Sequence, residues 1–264
     1  VPPSIERSPE GLTLAPVRVV ALTRPFGWLA LGWHDFVRSF GPSLFHGFIV
    51  AIAGLAIVTL GLRVWYVLPG AVTGFVLIAP ILATGLYELS RRMLRGERPR
   101  LLHAFEAWRR GTRPLVWMGL ALAIAGTAWV LASAVLVALF VKAPITGLES
   151  FLRYVVLSEG SNLFWLWIGL GGLGASFVFA ATAVSVPLML DRDVDTLSAV
   201  LTSVRAVGEN PIAMAVWAAI IMALTVFAMA TLMLGFAFVV PIVGHATWHA
   251  YRDLVDADGL PLRH

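Results

Sequence analysis

The sequence predicts an all-α integral membrane protein: six transmembrane helices forming three parallel helical-hairpin repeats, each preceded by a cytoplasmic interfacial helix. Three observations predict it. Of the 264 residues, 59% are hydrophobic and only 13% charged, whereas soluble domains are about 45–50% apolar and about 25% charged. Apolar stretches of membrane-spanning length, about 20 residues each, recur along the whole chain. The segment 74–92 (GFVLIAPILATGLYELSRR) aligns without a gap on 235–253 (GFAFVVPIVGHATWHAYRD). A mean hydropathy of +0.87 excludes a soluble enzyme and a disordered chain, because neither can hide so much apolar surface from water.

Residues 1–27 are broken by Pro2, Pro3, Pro9, Pro16 and Pro25 and lack the apolar core of a signal peptide. They read as a loosely ordered cytoplasmic N-terminal tail. Residues 28–255 form one membrane domain with spans at 43–62, 66–88, 114–141, 162–190, 212–231 and 233–250, and 256–264 is a cytoplasmic C-terminal tail. The last two spans need separating. One helix over 212–250 would be about 58 Å long against a hydrocarbon core of about 30 Å, so a tight turn is expected near Thr231–Gly235.

Each hairpin begins with an amphipathic stretch and a proline. In the first, Leu29, Trp33, Phe36, Val37 and Phe40 share a face, with Asp35 and Arg38 off it, before Pro42. In the second, Leu101, Leu102, Phe105 and Trp108 precede Pro114, with Glu106 and Arg110 spaced i,i+4. In the third, Leu197, Val200, Leu201 and Val204 lead to Asn210-Pro211, an N-cap residue followed by proline at the first helical position. Such helices, apolar on one side and carrying Arg on the other, lie in the headgroup plane. An extra external helix is expected at 145–157, where Leu148, Phe151, Leu152, Val155 and Val156 form a stripe and Glu149 faces Arg153.

An even number of spans places both termini, 89–113 and 191–211 on one side. That side holds 16 Lys and Arg residues against 3 (Arg63, Lys142 and Arg153) on the other, which makes the termini cytoplasmic in a bacterial inner membrane. The formal net charge of +4 is thus read as orientation and contact with anionic membrane lipid; no nucleic-acid partner is expected. Cysteine is absent, which excludes disulfides, iron–sulfur clusters and thiolate metal sites.

The polar inventory of the spans is thin. No Asp, Glu, Lys or Arg falls near the middle of a span, which counts against an ion-coupled transporter. Pro80, Pro187 and Pro241 read as kinks. His46, Glu88, His245 and His249 share a similar cytoplasmic depth and are the only candidates for a metal or haem site. Two His on one helix cannot bracket a haem iron from both faces, so the expectation is hydrogen bonding between helices and no cofactor. Asp191, Asp193 and Asp195 resemble the start of a calcium loop, but Thr196 and Thr202 occupy the positions where that loop needs Gly and Glu. Asp195 is instead expected to cap the third interfacial helix, with the three acids facing the Arg91–Arg113 cluster. Gly169, Gly172 and Ser176 line one face of the fourth span, where small residues permit close helix packing.

The stretches GWHDFVRSFGPSLFHG (32–47), Asn210-Pro211 and above all GHATWHAYRDLV (244–255) resemble a bacterial family of predicted integral membrane proteins of unknown function. Some members carry the label of cytochrome c oxidase subunits. The resemblance implies a link with respiratory terminal oxidases, and it brings no catalytic residue with it. A haem–copper catalytic subunit needs His on several separate spans, so the expectation is a non-catalytic accessory or assembly subunit packing beside an oxidase. The alternatives are a small-solute permease or channel along the pseudo-threefold axis, and a haem- or metal-binding membrane protein.

Overall fold

The computed structural model describes residues 6–7, 13–65, 67–104, 113–158 and 162–263. Among these, apart from a two-residue ladder pairing Glu6–Arg7 with Thr13–Leu14, the regular structure is helical. In chain order the helices are α1 (Arg24–Arg38), α2 (Phe40–Gly61), α3 (Leu68–Leu77), α4 (Ala79–Leu82), α5 (Thr84–Leu94), α6 (Arg113–Phe140), α7 (Leu148–Phe151), α8 (Leu163–Thr182), α9 (Ser185–Asp191), α10 (Thr196–Glu209), α11 (Pro211–Ala230) and α12 (Phe236–Leu254). A π-helical turn, Leu152–Val156, continues α7.

Among the described residues, four helical segments are long and apolar enough to cross a membrane: Phe40–Gly61, Arg113–Phe140, Leu163–Asp191 and Pro211–Ala230. They correspond to the expected first, third, fourth and fifth spans. The expected second span is divided into α3, α4 and α5. Pro80 has no N–H to offer the carbonyl four residues back, and its ring crowds the preceding turn. The expected sixth span is continuous as α12, but it carries His245, His249, Arg252 and Asp253 in its last ten residues. Of these His245 is buried, while His249, Arg252 and Asp253 are partly exposed and paired with Asp35, Asp191 and Arg24. The turn expected near Thr231–Gly235 is present, and it puts Leu232 and Met233 at φ of 52° and 70°.

The described residues divide into two compact units. One draws on Val1–Ile52, Pro80–Gly119 and Phe179–His264, the other on Ala53–Ala79 and Leu120–Val178.

In the first unit α12 is the central element, packed against α1, α5, α9 and α11. Its Trp248 and Tyr251 are buried, as are Trp28 of α1, Leu86 of α5 and Trp217 of α11. Two glycines let backbones meet. A Cβ on Gly32 would stand 2.6 Å from both the Ala246 nitrogen and the Ile242 oxygen. A Cβ on Gly47 would stand 2.1 Å from the Ala237 oxygen, the carbonyl that Pro241 leaves without its helical donor.

Most of each interfacial stripe faces outward. On α1, Trp33 and Val37 are exposed, as is Phe40 at the start of α2, while Phe36 of the same stripe is buried with Trp28, Gly32 and Asp35. On α10, Leu197, Leu201 and Val204 face outward, and Ser198, Ala199, Thr202, Ser203 and Ala206 are buried. Outward apolar stripes suit lipid, and small residues suit close packing inside. Residues 101–104 are helical; Phe105, Glu106, Trp108 and Arg110 lie outside the described residues.

Residues 16–18 are fastened to 254–256, within and beside segments expected as an N-terminal loosely ordered tail and a C-terminal tail; residues 1–5 and 8–12 lie outside the described residues. The Arg18 nitrogen donates to the Leu254 oxygen at 2.7 Å and the Asp256 nitrogen to the Pro16 oxygen at 2.9 Å. Asn210 makes no side-chain cap on α11. It accepts from the Val20 nitrogen at 2.8 Å and donates to the Arg18 and Ala206 oxygens, both at 3.1 Å.

In the second unit, indole N–H groups are satisfied by hydroxyls: Trp129 donates to Thr73 at 2.6 Å and Trp167 to the buried Ser133 at 2.8 Å. Helices α3 and α6 cross where Gly74 and Gly126 each face the other's carbonyl oxygen.

Candidate functional site

The first unit contains a buried polar cluster built on a four-residue spacing. Asp35, Ser39 and Ser43 stand one helical turn apart across the α1–α2 junction, which continues through the Ser39 N–H to Asp35 and Ser43 N–H to Ser39 bonds. Opposite them, His245 and His249 stand one turn apart on α12, and α5 contributes Ser90. His245, Ser43 and Ser90 have no solvent exposure, Ser39 has 1% and Asp35 has 6%.

The hydrogen bonds form a closed circuit. The Ser39 hydroxyl donates to the Asp35 backbone oxygen at 2.7 Å and lies 2.7 Å from the Ser43 hydroxyl. Ser43 Oγ is 2.8 Å from His245 Nε2, and His245 Nδ1 is 2.7 Å from Ser90 Oγ. Ser90 donates to Asp35 Oδ2 at 2.7 Å, and His249 Nε2 meets the same oxygen at 2.8 Å. Burial opposes the charged form of Asp35, yet the bonds from His249 and Ser90 hold its carboxyl below the ordinary range. An acid placed by sequence off the apolar face of α1 is thus an internal group.

The four residues considered for a metal have other partners. His46 Nε2 lies 2.6 Å from the Leu82 oxygen. Glu88 takes Arg91 at 2.8 Å and Arg92 at 2.7 Å, while His245 and His249 belong to the circuit. Sequence reasoning found the two histidines and missed Asp35, Ser39, Ser43 and Ser90. The signal available was the 35, 39, 43 spacing, which places one small polar group per turn on a single helical line.

A second polar cluster closes the C-terminal segment. Asp191 accepts from the Tyr251 hydroxyl at 2.9 Å and from Arg192 Nε at 3.2 Å, and Arg192 Nη1 donates to the Leu260 oxygen at 2.9 Å. Asp195 caps α10 by accepting from the Ser198 nitrogen at 2.9 Å, as expected. Among the described residues, Asp191 is taken by Arg192 and Tyr251, and Asp195 by its own helix; Arg109 and Arg110 of the Arg91–Arg113 cluster lie outside the described residues.

On α8, Gly169, Gly172 and Ser176 are exposed. A Cβ at either glycine would meet nothing within 4 Å, and the Ser176 hydroxyl turns back to the Gly172 oxygen at 2.8 Å. Next to them, Gly171 is the packed one, with a Cβ position 2.9 Å from the Trp129 ring. The Glu149–Arg153 pair expected on the external helix is present at 3.6 Å.

Residues 67–191 match the model of a family described as predicted integral membrane protein (DUF2189). The matched stretch runs from α3 to α9 and includes two of the four segments able to cross a membrane. The GWHDFVRSFGPSLFHG and GHATWHAYRDLV stretches, which supply most of the polar circuit, lie outside it. No curated protein and no solved structure matches the chain.

Proposed function

We propose that this integral membrane protein is a non-catalytic accessory or assembly subunit that packs beside a larger membrane complex. The observation that carries the reading is the open small-residue line Gly169–Gly172–Ser176 on a helix able to cross the membrane. Helices associate in lipid through close packing at small residues and a few hydrogen bonds, without a hydrophobic driving force. Glycines that touch nothing in their own chain leave a shallow groove into which a foreign helix can settle. The polar groups of the first unit favour the same reading, since they bond to one another across helices. The choice of a respiratory terminal oxidase as that complex rests on the family resemblance alone.

In this reading the chain crosses a bacterial inner membrane six times, with the broken α3–α5 segment and α12 as the second and sixth crossings and both termini in the cytoplasm. The 16 to 3 division of basic residues supports it. Reporter fusions at Gly96, Lys142 and the C-terminus are expected to read inside, outside and inside. An external C-terminus would overturn the six-span topology.

The association is tested by purification in mild detergent with mass spectrometry of the proteins that co-elute. Oxidase subunits are expected with the wild type and are lost with Gly172→Leu, whereas Gly208→Leu, also in open space but on α10, retains them. Equal recovery with both variants would remove the α8 face from the argument. Solute uptake by proteoliposomes holding this protein alone would replace the subunit reading with a permease.

A further inference from the structure

The circuit around His245 contains more contacts than neutral groups can bridge. Five short contacts close it: Ser39 to the Asp35 carbonyl, Ser39 to Ser43, Ser43 to His245 Nε2, His245 Nδ1 to Ser90, and Ser90 to Asp35 Oδ2, four at 2.7 Å and one at 2.8 Å; a longer one, Ser39 to His245 Nε2 at 3.4 Å, shares the Nε2 side of the ring and is not counted. A hydrogen bond needs one proton between its two heavy atoms. Three hydroxyls supply three protons, and a neutral imidazole supplies one. With Asp35 ionised, one contact is left with two lone pairs facing each other at hydrogen-bond distance.

We propose that the Asp35–Ser39–Ser43–His245–Ser90 circuit is a buried proton-binding site that takes up one proton beyond those of a neutral histidine and an ionised aspartate. In one form His245 is an imidazolium donating from both nitrogens, and Ser90 donates to the Asp35 carboxylate. In the other the proton sits on Asp35, every bond between Asp35 and His245 reverses, and Nε2–H donates to Ser43. Both forms carry the same number of protons and satisfy all five contacts. The bond at His249 leaves the count unchanged, because its Nε2–H brings the proton of that contact to Asp35 Oδ2.

Loading the site changes its charge balance. Empty, it holds a buried carboxylate with no counter-charge inside the circuit; loaded, it is neutral overall. Burial disfavours a lone imidazolium, but here that charge stands one hydroxyl from a carboxylate. The other titratable and charged groups nearby each have a partner, His34 facing Asp35 itself. His34 of α1 is on the exposed side, 3.8 Å from Asp35 Oδ1, and His46 of α2 meets the Leu82 carbonyl. Glu88 of α5 holds Arg91 and Arg92. On α12, Arg252 faces Asp191 and Asp253 holds Arg24; α11 contains no charged residue. The site joins α1, α2, α5 and α12, so losing its proton weakens one of the links among four helices.

Ser39→Ala separates this proposal from a purely structural circuit. Removing that hydroxyl deletes two contacts but only one proton. The three that remain are balanced by a neutral His245, with Ser43 donating to Nε2, Nδ1–H to Ser90, and Ser90 to Asp35. The measurement is nitrogen NMR of the full chain with labelled histidine in detergent micelles, titrated between pH 5 and 9. Infrared detection of a protonated carboxyl runs in parallel, and the bands are assigned with His245→Gln and Asp35→Asn. In the wild type, the extra proton is expected at pH 7 on His245 or on Asp35. In Ser39→Ala its midpoint falls by about one pH unit or more, a tenfold loss of proton affinity. A His245 with one protonated nitrogen beside an ionised Asp35 at pH 7 in the wild type would overturn the proposal. So would equal midpoints in the two proteins. If Ser39→Ala does not fold, Ser39→Gly and the wild-type titration decide the matter on the same terms.

Discussion

The packing of α1 on α12 makes a sharp prediction because two glycines of one helix stand in opposite situations. An added Cβ at Gly32 meets the Ala246 nitrogen and Ile242 oxygen at 2.6 Å and the Ala246 Cβ at 2.7 Å, whereas at Gly27 it meets nothing within 4 Å. Two of the atoms opposing Gly32 are backbone, so no rotamer change relieves the clash and α1 must move off α12. Overpacking of this kind destabilises by about 1–3 kcal/mol. Alanine also favours the helix by about 0.5–1 kcal/mol over glycine, and this gain, smaller near the helix start, is common to both positions. Gly32→Ala should therefore melt below Gly27→Ala by the clash contribution, about 2–12 °C at about 2–4 °C per kcal/mol for a chain of this size. The assay is thermal unfolding of detergent-solubilised protein followed by size-exclusion chromatography. Equal melting of the two variants would refute the backbone contact between α1 and α12.

Three further outcomes are expected. Leu232→Gly should raise the melting temperature, since Leu232 is exposed and has φ of 52°, a region that costs a non-glycine residue about 1–2 kcal/mol. Arg192→Met should destabilise by about 1–3 kcal/mol, because Asp191 and Arg192 are 5% and 7% exposed and the swap removes the Arg192 bonds to Asp191 and to the Leu260 oxygen, leaving the acid Tyr251 and the longer contact with Arg252; proteolysis of the 256–263 segment should accelerate in parallel. Asp253 is opposed by burial but held below the ordinary carboxylate range by Arg24 and Trp28. Its contribution is present above the unfolded pKa and is lost as pH falls through the lowered folded value, so wild-type melting should decline on acidification and Asp253→Asn should flatten that decline.

The features legible in the sequence were those that lipid dictates. Long apolar runs must be helical in a bilayer, since backbone groups find no other partner there. The 39 residues of 212–250 had to turn once, and Thr231–Gly235 do so. Interruptions inside such runs were harder to read. Pro80 and Pro241 occupy equivalent places in the 74–92 and 235–253 alignment, yet the first lies in a divided segment and the second inside a continuous helix. The neighbours differ: the carbonyl freed by Pro241 is met by the bare backbone of Gly47, a contact that no local sequence rule encodes.

The same limit explains the candidate site. Hydropathy treats Asp35 as a marker of the water boundary, because an acid on an amphipathic helix is ordinarily its solvated side. What reverses that reading is not local. Gly32 brings α12 within backbone contact of α1 one turn before Asp35, and this close approach is what delivers His249 and, through Ser90 of α5, His245 to the carboxylate. Glycine and aspartate on one line of α1 therefore act together: the glycine sets the distance and the acid uses it. A bulkier residue at position 32 would push the imidazoles away and return Asp35 to water. Packing and the protonation of the circuit should consequently change together in Gly32→Ala, with the extra proton on the Asp35–His245 circuit lost in the same variant that melts early and retained in Gly27→Ala.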